Sequence, residues 1–202
     1  MNPILLKTIE NLDVSSIPEK RKSILDTITT SIQNRLINNL PVNINFICTH
    51  NSRRSHLSQI WMQTFAHYFK KTLITCYSGG TEATRIAPQV ITVLKDQGFA
   101  INKLSNEKNS IYTIKYDKNS MPIIGFSKEY FHNFNPSTDF TAILTCSQAD
   151  EGCPFVPGSD QRIALTYEDP KVYDNTELEK QKYTERSTQI ATELFYIINS
   201  LI

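Results

Sequence analysis

No apolar run in this chain approaches the ~20 residues needed to span a bilayer. The segment Met1–Lys7 has no long apolar stretch followed by a small-residue cleavage site, so it does not read as a signal peptide. The expected location is therefore the cytoplasm, with no membrane partner. Cysteine is scarce, four in 202 residues; in a reducing compartment these four read as free thiols or catalytic groups rather than staples. Excess charge is also missing. The 21 Lys+Arg and 20 Asp+Glu leave a net charge of +1, which argues against a general polyanion binder and hence against a nucleic-acid partner. Only four histidines are present, and no Cys/His spacing suits zinc, so no metal site is expected. Internal repeats and low-complexity blocks are absent.

What is present reads as strand alternating with helix. The first ~40 residues read as helical, with Ser16 and Glu19 as a capping box and Ile24, Leu25, Ile28, Ile32, Leu36 and Leu40 as an apolar stripe ended by Pro41. That stripe is expected to seat the helix on the domain surface, a dimer contact through the N-terminal helices being the alternative. Ile44–Ile47 reads as a strand, Ser55–Tyr68 as a helix, Leu73–Ser78 as a strand closed by Gly79-Gly80, and Ala87–Gln97 as a helix closed by Gly98. Ile111–Tyr116 and Met121–Phe126 pair as a hairpin across Asp117–Ser120. Thr141–Thr145 is a further strand followed by a polar loop, and the segment from Asn175 onward is helical. Such alternation predicts an α/β fold whose parallel sheet is covered on both faces. Ligands in such sheets bind beyond the carboxyl ends of the strands, the rim on which Cys48 and Cys146 both fall.

The segment Cys48-Thr49-His50-Asn51-Ser52-Arg53-Arg54-Ser55 follows a strand and opens a helix. Successive N–H groups in such a loop can converge on one anion, and the helix N-terminus adds positive potential. Arg54 can clamp a tetrahedral oxyanion with two parallel donors, which a lysine cannot do. The same field stabilises a thiolate at Cys48, and Ser55 supplies a hydroxyl to hydrogen-bond it. Thr49, His50, Asn51, Ser52, Arg53, Arg54 and Ser55 are thus the candidate oxyanion-binding residues, with Cys48 as nucleophile. Cys76, in an apolar strand, reads as an inert core thiol.

This loop resembles that of the low-molecular-weight protein tyrosine phosphatase superfamily, Cys-x-x-Asn-x-x-Arg-Ser. Asn51 matches the asparagine that holds the loop in shape; His50 departs from the usual glycine. The resemblance continues in Tyr77-Ser78-Gly79-Gly80-Thr81 and Ala87-Pro88-Gln89-Val90, and runs from Thr141 through Asp169-Pro170. It implies a three-layer sandwich with a central parallel sheet of about four strands, formed by residues 42–202 with an insertion near 103–135. Residues 1–41 form a helical extension outside the minimal fold. Asp169 matches the family's general acid, and Pro170 restricts it to an extended conformation.

Cys146-Ser147-Gln148-Ala149-Asp150-Glu151-Gly152-Cys153-Pro154 is similar to the Cys-x6-Cys segment of the family's arsenate reductase branch. That resemblance implies a relay in which Cys48 attacks arsenate, Cys146 attacks Cys48, and Cys153 carries the disulfide outward to a thioredoxin-like reductant. Two thiols closing one disulfide supply the two electrons that As(V) requires. Gly152 and its acidic neighbours predict an exposed, mobile Cys153. Some members of this branch bind a monovalent cation near the positions of Asn51 and Ser78; no other cofactor is implied. Aromatic residues that flank a phosphotyrosine in the phosphatases are missing directly after Asp169-Pro170, where Lys171 and Val172 stand. A phosphatase using a cysteinyl-phosphate is the alternative, and a redox-responsive interaction protein with Cys146 and Cys153 as sensor is a third reading.

Overall fold

The computed structural model describes residues 1–202. Four parallel strands form the central sheet in the order β2-β1-β6-β7. These are β1 (Val42–Cys48), β2 (Ile74–Gly80), β6 (Phe140–Leu144) and β7 (Ser159–Ala164). Strand β1 lies between β2 and β6, with Cys48 opposite Gly80 and Ile47 opposite Leu144. This central placement explains its nearly unbroken burial, as expected of a parallel strand covered on both faces. Helices α3 (Arg54–Tyr68), α4 (Pro88–Asp96) and α6 (Glu179–Asn199) carry much of the cover. Trp61 stacks on Phe65 and meets Phe99 edge-on, while its indole N–H donates to Ser187 of α6 at 3.0 Å.

Helices α1 (Pro3–Glu10) and α2 (Glu19–Ile37) add Leu5, Ile9, Leu25, Ile28 and Ile32 to the same apolar core as α3 and α6. The apolar stripe of α2 is therefore covered within the chain. The expected capping box does not form. Pro18 occupies the N-cap position and Ser16 Oγ donates instead to the Asp13 carbonyl, because residues 14–16 form a 3-10 turn. The helix also stops at Ile37, short of Pro41, with Asn39 at φ 54° turning the chain into β1. No helix is long and apolar enough to cross a membrane.

Residues 100–125 form a second, antiparallel sheet of β3 (Ala100–Lys103), β4 (Tyr112–Lys115) and β5 (Ile123–Gly125). The β4–β5 hairpin has the expected pairing, Ile114 opposite Ile123. Three elements differ from expectation. The last helix begins at Glu179 rather than at Asn175, whose φ of 62° sets it apart from the preceding 3-10 turn. Residues 147–152, read as a polar loop, form the short helix α5, and the sheet gains the edge strand β7 after it.

Candidate functional site

The loop between β1 and α3 is held from outside by its carbonyls. Those of Cys48 and Thr49 accept from the backbone N–H groups of Thr81 (3.1 Å) and Glu82 (3.0 Å), and that of Ser52 accepts from Ala87 N–H (3.0 Å). The His50 carbonyl accepts from the hydroxyls of Ser127 (2.9 Å) and Thr84 (3.2 Å). The N–H groups of residues 49–53 have no acceptor within the protein. They are the donors of an anion nest, next to the unpaired N–H groups of the α3 N-terminus. The positive φ in the loop falls on Asn51 (42°) rather than on His50. Asn51 suits that conformation, so the turn does not require positive φ of the bulky His50, whose imidazole Nδ1 lies 2.8 Å from a Glu82 carboxylate oxygen outside hydrogen-bonding geometry.

The Cys48 thiol is 3.1 Å from Ser55 Oγ, which also receives Asn51 Nδ2 at 2.9 Å. Cys48 is buried, so the loop bounds its approach. Arg54 donates to the Tyr167 carbonyl (2.8 Å) and to Asp169 Oδ2 (2.7 Å), leaving its buried Nε without a partner. Asp169 is extended (φ −80°, ψ 119°), as the following proline dictates, and caps the 3-10 turn Pro170–Tyr173 by accepting from Lys171 N–H. Arg53 donates to the Tyr183 hydroxyl (2.8 Å) and lies 3.8 Å from Asp169 and 3.7 Å from Asp174. Glu168 is exposed and reaches only Arg186.

A cleft of about 550 Å³ opens over the loop, lined by His50, Arg54, Gln148, Asp169, Lys171 and Val172 among others. Tyr173 lies under the Lys182 ammonium and lines an adjoining cleft that shares Asp169 and Val172 with this one. The site thus offers a thiol, a guanidinium, a carboxyl and a ring of amide donors around a volume suited to a small tetrahedral anion.

Cys146 lies two residues beyond β6 and caps α5, its sulfur accepting from Ala149 N–H at 3.4 Å and lying 3.5 Å from Thr49 Oγ1 of the loop. Cys48 and Cys146 share a small apolar cluster, separate from the main core, against which Cys153 and Tyr130 pack. Cys153 is not the exposed residue of a mobile loop: it is half-buried at the C-terminal end of α5. Arg162 of β7 pins it there, donating to the carbonyls of Cys153 (2.7 Å) and Asp150 (2.5 Å) and pairing with the Asp150 carboxylate. Burial pushes the Cys153 thiol above its ordinary value, partly offset by Arg162. Cys76 sits in the main core, where burial raises its thiol far more, in keeping with an inert role.

Sequence reasoning missed what the 126–135 segment brings. Ser127 holds the His50 carbonyl, Lys128 N–H donates to Asn51 Oδ1 at 2.9 Å, and Tyr130 N–H donates to the Gly80 carbonyl at 2.8 Å. The two glycines ending β2 make this possible. A Cβ on Gly80 would stand 2.6 Å from the Thr49 carbonyl oxygen and 2.7 Å from Asn51 N. Gly80→Ala is therefore expected to destabilise the fold by about 2 kcal/mol and to weaken inorganic phosphate binding, read by chemical denaturation and calorimetry.

The comparisons with known proteins agree with this geometry. The family model described as low molecular weight phosphotyrosine protein phosphatase matches residues 43–118. Arsenate reductase 2 of Staphylococcus epidermidis is 31% identical over 130 residues, covering 63% of this chain and 77% of that protein. The arsenate reductase of Bacillus subtilis is 25% identical over 143 residues, covering 71% and 84%. A solved structure of an arsenate reductase in the phosphate binding state shares the fold, with a TM-score of 0.52 at 17% identity over 80% of this chain and 99% of that one. Identical at 31% of 130 aligned positions to a relative of which it covers 77%, the chain belongs to the low molecular weight phosphotyrosine protein phosphatase family.

Proposed function

We propose that this enzyme reduces arsenate to arsenite through a three-cysteine relay. The observation that carries the proposal is that Cys48, Cys146 and Cys153 pack around one apolar cluster at the sheet rim, with Cys146 against the oxyanion loop. The Cys48 thiolate attacks arsenic while the loop N–H groups and Arg54 hold the oxygens; Asp169 protonates the departing oxygen. Cys146 then attacks Cys48 sulfur. The S–As electron pair goes to arsenic, arsenite leaves, and a Cys48–Cys146 disulfide forms. Attack of Cys153 on Cys146 frees Cys48, and an external thioredoxin-like dithiol reduces Cys146–Cys153. The relatives named arsenate reductase support this chemistry. So do Lys171 and Val172, the two residues after Asp169-Pro170 on the cleft wall, neither of which offers a ring to a tyrosyl substrate.

The relay places a demand on α5. Cys146 and Cys153 bracket its six residues, and seven residues of helix rise by about 10 Å. A disulfide tolerates a Cα separation of only about 7 Å, so α5 must unwind before the second exchange. Forming the first disulfide prepares this by removing the Cys146 thiol from the Ala149 N–H. Amide hydrogen exchange across residues 147–153 is expected to be at least tenfold faster in the Cys146–Cys153 disulfide form than in the reduced protein. Equal protection in both forms would show that the relay does not use this helix.

The test of function is arsenate-dependent NADPH oxidation with thioredoxin and thioredoxin reductase, run beside p-nitrophenyl phosphate hydrolysis on the same sample. Hydrolysis without arsenate-dependent turnover would make the protein a phosphatase of the family.

A further inference from the structure

The resemblance that places a monovalent cation near Asn51 and Ser78 meets residues that do not fit one. Asn51 Oδ1 accepts from Lys128 N–H, and Asn51 Nδ2 is spent on Ser55. Ser78 Oγ donates to Gln59 Oε1 at 2.7 Å and lies 3.3 Å from His56 Nδ1; the Ser78 carbonyl accepts from Asn135 at 3.0 Å. A hard cation needs about six free oxygens; those of Asn51 and Ser78 are engaged, and the buried amide oxygens of Asn45 and Asn135 alone lack a partner, too few to replace its shell. No cluster of three His, Cys, Asp or Glu side chains stands ready to hold a metal ion.

What this layer does hold is a charge of the chain's own. Lys128 is 2% exposed, and its ammonium has no hydrogen-bond partner, resting over the rings of Phe126 (4.7 Å) and Phe134 (5.8 Å). Its backbone bridges the Asn51 side chain and the Gly80 N–H, tying it to the loop and to β2. The nearby fully buried His56 is held neutral by burial and by this lysine. The loop's two arginines are offset by Asp169 and Asp174. Lys128 is therefore the uncompensated cation of the site. An unpartnered buried ammonium costs stability, and a methionine of similar length would fill the same aromatic slot without that cost.

We propose that the Lys128 ammonium is the resident cation beneath the oxyanion loop, so that anion binding draws on this fixed charge and needs no alkali-metal ion. The proposal rests on the reading of the Cys48–Ser55 loop as an oxyanion site, not on arsenate reduction itself. The probe is inorganic phosphate binding by calorimetry in KCl, NaCl and choline chloride at equal ionic strength. The wild-type protein is expected to give the same Kd within twofold in all three salts. Lys128→Met is expected to weaken phosphate about tenfold in every salt, with its unfolding midpoint raised at pH 7. Tighter binding by the wild type in KCl or NaCl than in choline chloride, or an unchanged Kd in folded Lys128→Met, would overturn the proposal. Should that variant not fold, the salt comparison on the wild type decides alone. Absence of arsenate turnover with these phosphate results intact would remove the reductase reading and leave this one standing.

Discussion

Cys153→Ser is expected to release about one arsenite per enzyme molecule and then stop, with steady-state thioredoxin-coupled turnover falling by at least about 100-fold. In that variant Cys48 and Cys146 still hold the two electrons for one reduction. The product disulfide would then lie between two residues that are 3% and 1% exposed, beyond the reach of a protein dithiol, which must attack a sulfur in line. Rapid quench with arsenite quantification separates the single turnover from the lost cycle. Cys146→Ser should lose even the first arsenite, because no thiol can then displace it from Cys48. Hydrolysis of p-nitrophenyl phosphate should ignore both changes while requiring Cys48 and Asp169. An undiminished steady state in Cys153→Ser would remove the relay.

The contrast between these variants follows from where the elements put the thiols, and only part of that placement was legible in the sequence. The loop was legible because its chemistry is local: strand, eight residues and helix N-terminus fix where Cys48, Arg54 and Ser55 point. The β4–β5 hairpin was legible because Tyr112–Lys115 alternates and Asp117–Ser120 is turn chemistry. Strand β7 was not, since Ser159-Asp160-Gln161-Arg162 shows no apolar alternation; it pairs only with β6 and none of its residues is fully buried. Helix α5 is six residues, four of them polar, held by Arg162, the Cys146 cap and the single buried Ala149 rather than by an apolar stripe. Cys153 was expected in an open loop for that reason, and it is half-buried because β7 returns to cover it.

Lys128 lies furthest from sequence legibility. Nothing in Phe126-Ser127-Lys128-Glu129 announces a buried ammonium. Its burial depends on a backbone hydrogen bond to Asn51, 77 positions earlier, and on the rings of Phe126 and Phe134. That burial has a measurable signature. It pulls the Lys128 amine from 10.5 down to about 8, a difference of about 3 kcal/mol between its protonation states. Below pH 8 the folded protein carries the full cost of a charged, buried amine. Between about 8 and 10.5 the folded chain has released this proton while the unfolded chain still binds it. Stability from this group must therefore rise with pH across that window. Cys76 acts with the opposite sign, because its thiol stays protonated in the fold above the pH at which the unfolded thiol ionises. The two are separated by comparing the wild type with Lys128→Met in urea denaturation from pH 7 to 10.5. The variant is expected to be more stable at pH 7, by up to about 3 kcal/mol. That advantage should shrink steadily as pH rises through 8, since the wild type regains what the lysine had cost. A constant difference across the range would mean that the ammonium is solvated, and would remove with it the reason to place a fixed charge beneath the loop.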